Sequence, residues 1–136
     1  MSELPLTGGC LCGEVRFEVT EPLVSASYCH CTRCQRRTGT AASAQARVEP
    51  GSLRILQGEE LVRSWKPPDG RAKAFCSACG SALWSETDEG EVGGVRFGAI
   101  DGDPGVRPEY RQYVAYAAAW EPLLDDGLER FPESRP

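Results

Sequence analysis

The stretch YCHCTRC, from Tyr28 to Cys34, holds three closely spaced cysteines and the only histidine of the chain. Three thiols are too few for a closed structural zinc site, which takes four ligands, and an odd number cannot all pair as disulfides. They can hold a metal ion whose fourth coordination position stays open to a water or a substrate atom. The stretch therefore predicts a catalytic type of zinc site formed by Cys29, Cys31 and Cys34.

The remaining four cysteines lie further out, in the pairs CLC and CSACG. Residues i and i+2 of an extended segment point to the same side, so Cys10 and Cys12 can offer two sulfurs to one ion. Cys76 and Cys79, followed by Gly80, are typical of a zinc knuckle, in which we expect the glycine to have a positive φ. The two pairs predict a closed four-thiolate structural zinc, which makes two zinc ions per chain.

Some alternatives stay open at this point. His30, or a distant aspartate or glutamate, could complete the site of three cysteines, and the seven cysteines could be divided differently between two ions. If residues 29–31 are extended, His30 points away from Cys29 and Cys31, which favours a buried residue that supports the site over a ligand. A disulfide scaffold is disfavoured, because the number of cysteines is odd and the sequence begins without an export signal.

The charge composition of the chain limits the kinds of molecule that it can bind. The 136 residues include 15 basic and 20 acidic side chains, which gives a net charge of −5 and argues against nucleic acid or a membrane surface as a partner. No apolar run approaches membrane-spanning length. We therefore expect a cytoplasmic protein whose thiols are reduced and whose partners are small molecules.

Three arginines lie beside the central cysteines, in the stretch TRCQRR. Arg36 and Arg37 are candidates for binding a substrate carboxylate. The alternative is that they only offset the negative charge of the thiolates or are solvated. Each of the three tryptophans, Trp65, Trp84 and Trp120, is expected in the core or in the wall of a cavity.

The pattern of apolar residues favours β structure throughout. In EVRFEV, the side chains of Val15, Phe17 and Val19 alternate with polar ones, which is the period of a half-buried strand. The best candidate for a short helical turn is PGSLRIL, and YVAYAAAW is ambiguous. The sequence shows no linker or repeat. We therefore expect one mostly β domain over residues 1–136, with a compact core at about 5–125 and a short C-terminal tail.

These motifs resemble the glutathione-dependent formaldehyde-activating enzyme family, which also includes centromere protein V. The resemblance runs through GGCLCGEVRFEV, YCHCTRCQRRTGT, AFCSACGSALW and AWEPLLDDGLERFPE. It implies a β-tent fold of small antiparallel sheets built around two zinc sites. It also assigns Cys10, Cys12, Cys76 and Cys79 to the structural zinc and the three central cysteines to the catalytic zinc.

Two classes of function follow from the resemblance. The first is a carbon–sulfur lyase, in which zinc holds a thiol such as glutathione while it attacks a small aldehyde and gives an S-hydroxymethyl adduct. The second is a zinc-stabilised module without catalysis that recognises a protein partner. An open metal site has little value in a purely structural protein, so the sequence favours the enzyme.

Overall fold

The computed structural model describes residues 3–136, and it is built mainly from β-strands. A single α-helix among these residues, α1, spans Thr32–Thr38, and short 3₁₀ turns lie at Glu59–Leu61, Phe97–Ala99 and Val114–Tyr116. The strands are β1 (Leu6–Gly9), β2 (Arg16–Val19), β3 (Ala26–Cys29), β4 (Ser43–Arg47), β5 (Leu53–Gln57), β6 (Val62–Trp65), β7 (Lys73–Cys76), β8 (Ala82–Glu86), β9 (Val92–Arg96), β10 (Tyr110–Gln112) and β11 (Glu129–Arg130).

The smaller sheet has three antiparallel strands in the order β1-β2-β5. Phe17 in the central strand lies opposite Gly8 of β1 and Ile55 of β5. A Cβ atom at Gly8 would lie 2.6 Å from the tip of the Phe17 ring and 2.3 Å from the carbonyl oxygen of Ala99. Glycine at this position therefore allows the Phe17 ring to pack between the sheet and the Phe97–Ala99 turn.

The larger sheet has eight strands in the order β11-β10-β3-β4-β9-β8-β7-β6. Its pairings are antiparallel except that β10 runs parallel to both β3 and β11. This order places the end of β3, which carries Cys29, in the same sheet as β7, which carries Cys76. The expected mostly β, single-domain fold is confirmed.

The core lies where the two sheets meet. Val15, Phe17 and Val19 are each 0% exposed, as the alternating pattern predicts. The Phe17 ring meets the Trp84 ring edge to face, with 5.7 Å between centroids. Trp84 is buried in the core, whereas Trp65 and Trp120 are 62% and 67% exposed and so lie outside it.

Replacing Phe17 with alanine is expected to cost about 3–5 kcal/mol of unfolding free energy, because it leaves a cavity against Trp84 in the core. Leu56→Ala on the neighbouring strand β5 is the control, since Leu56 is 57% exposed and such a change stays within about 0.5 kcal/mol. Urea unfolding of both variants, each loaded with zinc, measures the difference. Equal midpoints would contradict the placement of Phe17 in the core.

Two sequence expectations about local structure are wrong. The segment PGSLRIL forms no helical turn, because Leu53–Gln57 is strand β5, which pairs with β2. The residues after Cys31 form helix α1, although the pattern of apolar residues favours β structure throughout. Gly39 ends this helix in the left-handed conformation, with φ 69°, and its N–H donates to the carbonyl of Gln35.

The last residues of the chain are hydrogen-bonded to β10. Strand β11 extends the large sheet, and the N–H of Phe131 donates to the carbonyl of Arg111 at 2.8 Å. The Phe131 ring packs against the Tyr110 ring, with 5.8 Å between centroids. Between residues 3 and 136, no helix has the length and apolar character needed to cross a membrane.

Candidate metal centres

The structure gathers four cysteines, two from the loop after β1, one from the end of β7 and one from the turn between β7 and β8. Their sulfur atoms all lie within 4.8 Å of one another. Cys10 and Cys12 lie in the turn between β1 and β2, so the expected extended segment is wrong, yet both sulfurs still reach the cluster. Gly80 has φ +81°, which confirms the conformation expected of a zinc knuckle.

The spacing of these sulfurs fits a zinc ion. Cys10 Sγ lies 3.5 Å from Cys12 Sγ, which lies 4.0 Å from Cys76 Sγ. Four sulfurs at about 2.3 Å from one tetrahedral Zn²⁺ are about 3.8 Å apart. All seven cysteines of the chain are free thiols in the structure. We call these four residues, Cys10, Cys12, Cys76 and Cys79, the four-cysteine cluster.

Hydrogen bonds hold the sulfurs of the four-cysteine cluster in place. The N–H of Val15 donates to Cys10 Sγ at 3.3 Å. Ser81 Oγ accepts from the N–H of Leu11 at 2.9 Å and lies 3.2 Å from Cys79 Sγ. The contact with the Ser81 hydroxyl lowers the pKa of Cys79 to about 5, which favours the thiolate that zinc requires.

Cys29, Cys31 and Cys34 form a second group, the three-cysteine cluster, with sulfurs also within 4.8 Å of one another. Cys29 ends β3, Cys31 caps the N-terminus of α1, and Cys34 lies in the first turn of the helix. The N–H of Cys34 donates to Cys31 Sγ at 3.4 Å. The helix that the sequence did not predict is therefore what turns Cys34 back towards the other two thiols.

The electrostatics of the three-cysteine cluster suit a cation. Contact with Cys31 and then Cys34 raises the pKa of Cys29, whereas hydrogen bonds from Cys29 and Cys31 lower the pKa of Cys34. Three sulfurs this close cannot all ionise without a compensating charge, so they share protons among themselves. A divalent ion that displaces those protons relieves the conflict, and thiolates are ligands that zinc accepts.

His30 belongs to neither cluster. Its side chain is 3% exposed, and Arg111 Nη1 lies 3.1 Å from its Nε2 atom. A guanidinium only donates, so Nε2 accepts and the imidazole hydrogen lies on Nδ1. Burial and then the charge of Arg111 lower the pKa of His30. His30 is therefore buried, as the sequence interpretation expects, and it lies outside both cysteine clusters.

Arg111 anchors this buried group to the rest of the chain. It is 8% exposed, its Nη2 donates to Asp126 Oδ2 at 2.8 Å, and its guanidinium carbon lies 4.4 Å from the centre of the Tyr28 ring. The carboxylate of Asp126 therefore neutralises the guanidinium of Arg111, which would otherwise be buried beside His30 without a counter-charge.

The three-cysteine cluster borders a cavity of about 460 Å³, which we call the cysteine cavity. Tyr113 and Tyr116 form part of its wall. Tyr113 has φ 57°, and it is the only residue other than glycine with positive φ between residues 3 and 136. Such a conformation is costly and is often found beside functional sites. The other lining residues are Thr32, Arg33, Arg37, Pro67, Asp69, Gly70 and Lys73.

The two arginines proposed from the sequence occupy different environments. Arg37 lines the cysteine cavity, and its Nη2 atom is buried without a hydrogen-bond partner among the described residues. Arg36 is exposed and does not line this cavity. Arg33, which also lines it, pairs with Asp69.

Sequence reasoning missed two cations that the structure places beside the three-cysteine cluster, Lys73 and Arg96. One signal for Lys73 was present, since Arg71 and Lys73 are two residues apart and share a face if the segment is extended. No comparable signal identifies Arg96, which reaches the site through the pairing of β9 with β4.

Comparison with known proteins identifies the family. Residues 5–116 match the family model described as glutathione-dependent formaldehyde-activating enzyme. The chain belongs to this family. The match includes all seven cysteines of both clusters.

Two similar proteins extend the comparison. A curated protein of Halomonas elongata, provisionally named a glutathione-dependent formaldehyde-activating enzyme, is 32% identical over 85 residues, which is 58% of this chain and 54% of that protein. The chain thus spans about half the length of this relative. A crystal structure of a Rhodobacter sphaeroides protein, a structural genomics target, is 27% identical with a TM-score of 0.56, and the alignment covers 92% of this chain and 98% of that one.

Proposed function

We propose that the chain is a zinc-dependent carbon–sulfur lyase that joins a glutathione-like thiol to a small aldehyde and gives an S-hydroxymethyl adduct. The observation that carries this proposal is the three-cysteine cluster, whose sulfurs converge within 4.8 Å at the wall of the cysteine cavity. Three thiolates hold an ion and leave one position for a substrate atom. Membership of the family and the name of the Halomonas relative support this reaction.

The two clusters would have different roles. Cys29, Cys31 and Cys34 would hold the catalytic zinc, and Cys10, Cys12, Cys76 and Cys79 would hold a structural zinc. When bound with an open position, zinc lowers the pKa of a thiol so that the thiolate is present near neutral pH.

The residues of the cavity orient and stabilise the reactants. Arg37 contributes positive charge beside Cys34, which favours anionic sulfur at this end of the cavity. Tyr113 and Tyr116 enclose the side towards the C-terminal segment, where the Tyr116 hydroxyl donates to Glu133 Oε1 at 3.1 Å. A cavity that holds both thiol and aldehyde would lower the entropic cost of their encounter.

The reaction is a simple addition. The thiol loses its proton, the sulfur attacks the carbonyl carbon, and the carbon–sulfur bond forms as the π electrons of the carbonyl move to oxygen. That oxygen takes up a proton, so the adduct has the summed composition of thiol and aldehyde. Both proposed substrates are small molecules. This agrees with the net charge of −5, which disfavours nucleic acid and membrane surfaces as partners. We propose that the reaction takes place in the cytoplasm.

The test is the rate of adduct formation from glutathione and formaldehyde, followed by NMR with protein shown to contain two zinc ions. The wild-type chain is expected to accelerate the reaction over the uncatalysed rate, and Cys31→Ser is expected to abolish the enhancement. Proton release on addition of glutathione alone, measured with a pH indicator, reports ionisation of the thiol. If protein that holds both ions gives neither signal with any common thiol, the lyase is excluded and the protein-binding module is favoured.

A further inference from the structure

A second cavity, of about 240 Å³, lies beside the three-cysteine cluster, and we call it the basic cavity. It shares Cys29, Cys34 and Lys73 with the cysteine cavity, so the two spaces meet at the thiols. Its basic lining residues are Arg47, Arg71, Lys73 and Arg96, and its wall contains no aspartate or glutamate. This is unusual in a chain whose acidic residues outnumber its basic ones.

Arg96 forms the buried part of this cavity. Its side chain is 9% exposed, and its Nε atom has no hydrogen-bond partner among the described residues. Its Nη1 atom donates to Gln45 Oε1 at 2.7 Å, and Gln45 Nε2 in turn donates to the carbonyl of Ser27 at 3.2 Å. A neutral amide therefore orients a buried guanidinium, and no carboxylate between residues 3 and 136 forms an ion pair with it.

Lys73 is similarly unpaired. Within residues 3–136, Lys73 Nζ forms neither an ion pair nor a hydrogen bond. Burial and then the charges of Arg96 and Arg37 lower the pKa of Lys73, and burial lowers the pKa of Arg96 to about 10. Like charges held this close destabilise one another unless an anion lies between them.

Arg71 adds a cation at the exposed mouth. A Cβ atom on Gly93 of β9 would lie 3.2 Å from Arg71 Nη1, so the absence of a side chain at residue 93 leaves room for the guanidinium. The thiolates alone do not account for this charge. Three thiolates with a divalent ion carry one net negative charge, whereas Arg37, Arg71, Lys73 and Arg96 carry four positive charges around them.

We propose that Lys73 and Arg96 form an anion subsite beside the three-cysteine cluster, which binds a carboxylate carried by one of the two reacting molecules. This inference rests on the proposed function for the identity of the reaction. A buried arginine and a half-buried lysine without acidic partners are suited to bind a carboxylate through charge-assisted hydrogen bonds. Formaldehyde carries no charge, so the subsite selects either an acidic thiol or an aldehyde that bears a carboxylate.

The test compares charged and neutral probes of similar size on zinc-loaded protein. The thiol pair is 3-mercaptopropionate and 2-mercaptoethanol, and the aldehyde pair is glyoxylate and acetaldehyde. The variants are Arg96→Gln and Lys73→Met, and Arg63→Gln is the matched control, since Arg63 is an exposed cation on β6 outside both cavities. Calorimetric titration gives the dissociation constant of each probe, and steady-state kinetics gives KM and kcat.

Both variants are expected to weaken binding of one charged probe by about tenfold or more, which is the scale of one charge-assisted hydrogen bond. Binding of its neutral counterpart stays within about twofold, and Arg63→Gln changes neither. A loss confined to 3-mercaptopropionate shows that the thiol carries the carboxylate, and a loss confined to glyoxylate shows that the aldehyde does. Lys73→Met keeps the test decisive if Arg96→Gln fails to fold, because Lys73 is only half-buried.

The outcomes separate this inference from the proposed function. Selective loss of anion binding in protein that also fails to turn over glutathione and formaldehyde supports the subsite and excludes the lyase. If Arg96→Gln and Lys73→Met reduce turnover equally for charged and neutral probes, the subsite is overturned and the lyase is kept. The subsite is also overturned if neither charged probe binds the wild-type chain more tightly than its neutral counterpart.

Discussion

Replacing Cys76 with serine is expected to leave the chain unfolded, or close to it, at room temperature. Cys76 is 0% exposed at the end of β7, and its sulfur lies 4.0 Å from that of Cys12. An ion held by the four-cysteine cluster would connect the loop after β1 in the small sheet to the turn between β7 and β8 in the large sheet. Structural zinc contributes roughly 10–16 kcal/mol in zinc-finger peptides, whereas a whole domain is stable by about 5–15 kcal/mol.

A buried serine hydroxyl has its own cost, so a second variant isolates the effect of the metal. Cys12 belongs to the same cluster but is exposed. Cys12→Ser therefore loses a ligand without burying an unpaired hydroxyl, and we still expect a large loss of stability. Cys34→Ser makes the same chemical change in the three-cysteine cluster and is expected to keep the fold.

Circular dichroism during heating, together with the zinc content of each purified variant, measures these effects. The expected ranking of melting temperatures is wild type, then Cys34→Ser, with Cys12→Ser and Cys76→Ser far below. If Cys34→Ser unfolded as readily as Cys12→Ser, the distinction between a structural and a catalytic cluster would be wrong.

The grouping of the cysteines was predictable from the sequence because it depends on local spacing. Cys10 and Cys12 are two residues apart and can share one ion whether the backbone is extended or turned, and Cys76 and Cys79 have the spacing of a knuckle turn, which brings their sulfurs together. For this reason the cluster forms even though CLC lies in a turn rather than in the extended segment that the sequence suggested. Gly80 was predictable for a similar reason, since a tight turn needs a positive φ that glycine adopts without strain.

Helix α1 was not predictable from apolar periodicity, because it buries none of its seven residues. Its start depends on Cys31, whose sulfur accepts the N–H of Cys34, and its end depends on Gly39. Conversely, PGSLRIL has the composition of a helical turn but pairs with β2, so partners distant in sequence decide its conformation.

The basic cavity was hidden for a different reason. Lys73 and Arg96 lie on strands that are not adjacent in the sheet, since β8 separates β7 from β9. Only the register of the large sheet brings them beside Cys29 and Cys34. An overall charge of −5 gives no hint of such a concentration of positive charge.

If the proposed function is correct, chelation is expected to abolish the lyase activity well before it unfolds the chain. Under the proposed assignment, purified protein contains close to two zinc ions. An ion held by the three-cysteine cluster would keep a free coordination position that a chelator could enter, whereas four thiolates would leave no such position on the other ion. Four thiolates also bind zinc more tightly than three, so the ion of the four-cysteine cluster should be the last to leave.

A zinc chelator is added stepwise, and a zinc-binding dye reports how much metal has been released at each step. Activity and circular dichroism are recorded on the same samples. Release of the first equivalent should remove nearly all activity and leave the β signal unchanged, and release of the second should coincide with unfolding. Cys34→Ser is the control, because it should contain about one zinc and unfold only when that ion is removed. Because Cys12 is exposed, a chelator can reach the four-cysteine cluster as well. The order of release therefore depends on the number of thiolates around each ion and not on access alone. If unfolding accompanied the first equivalent, or if one equivalent were all that the wild-type chain held, the assignment of one structural and one catalytic zinc would fail.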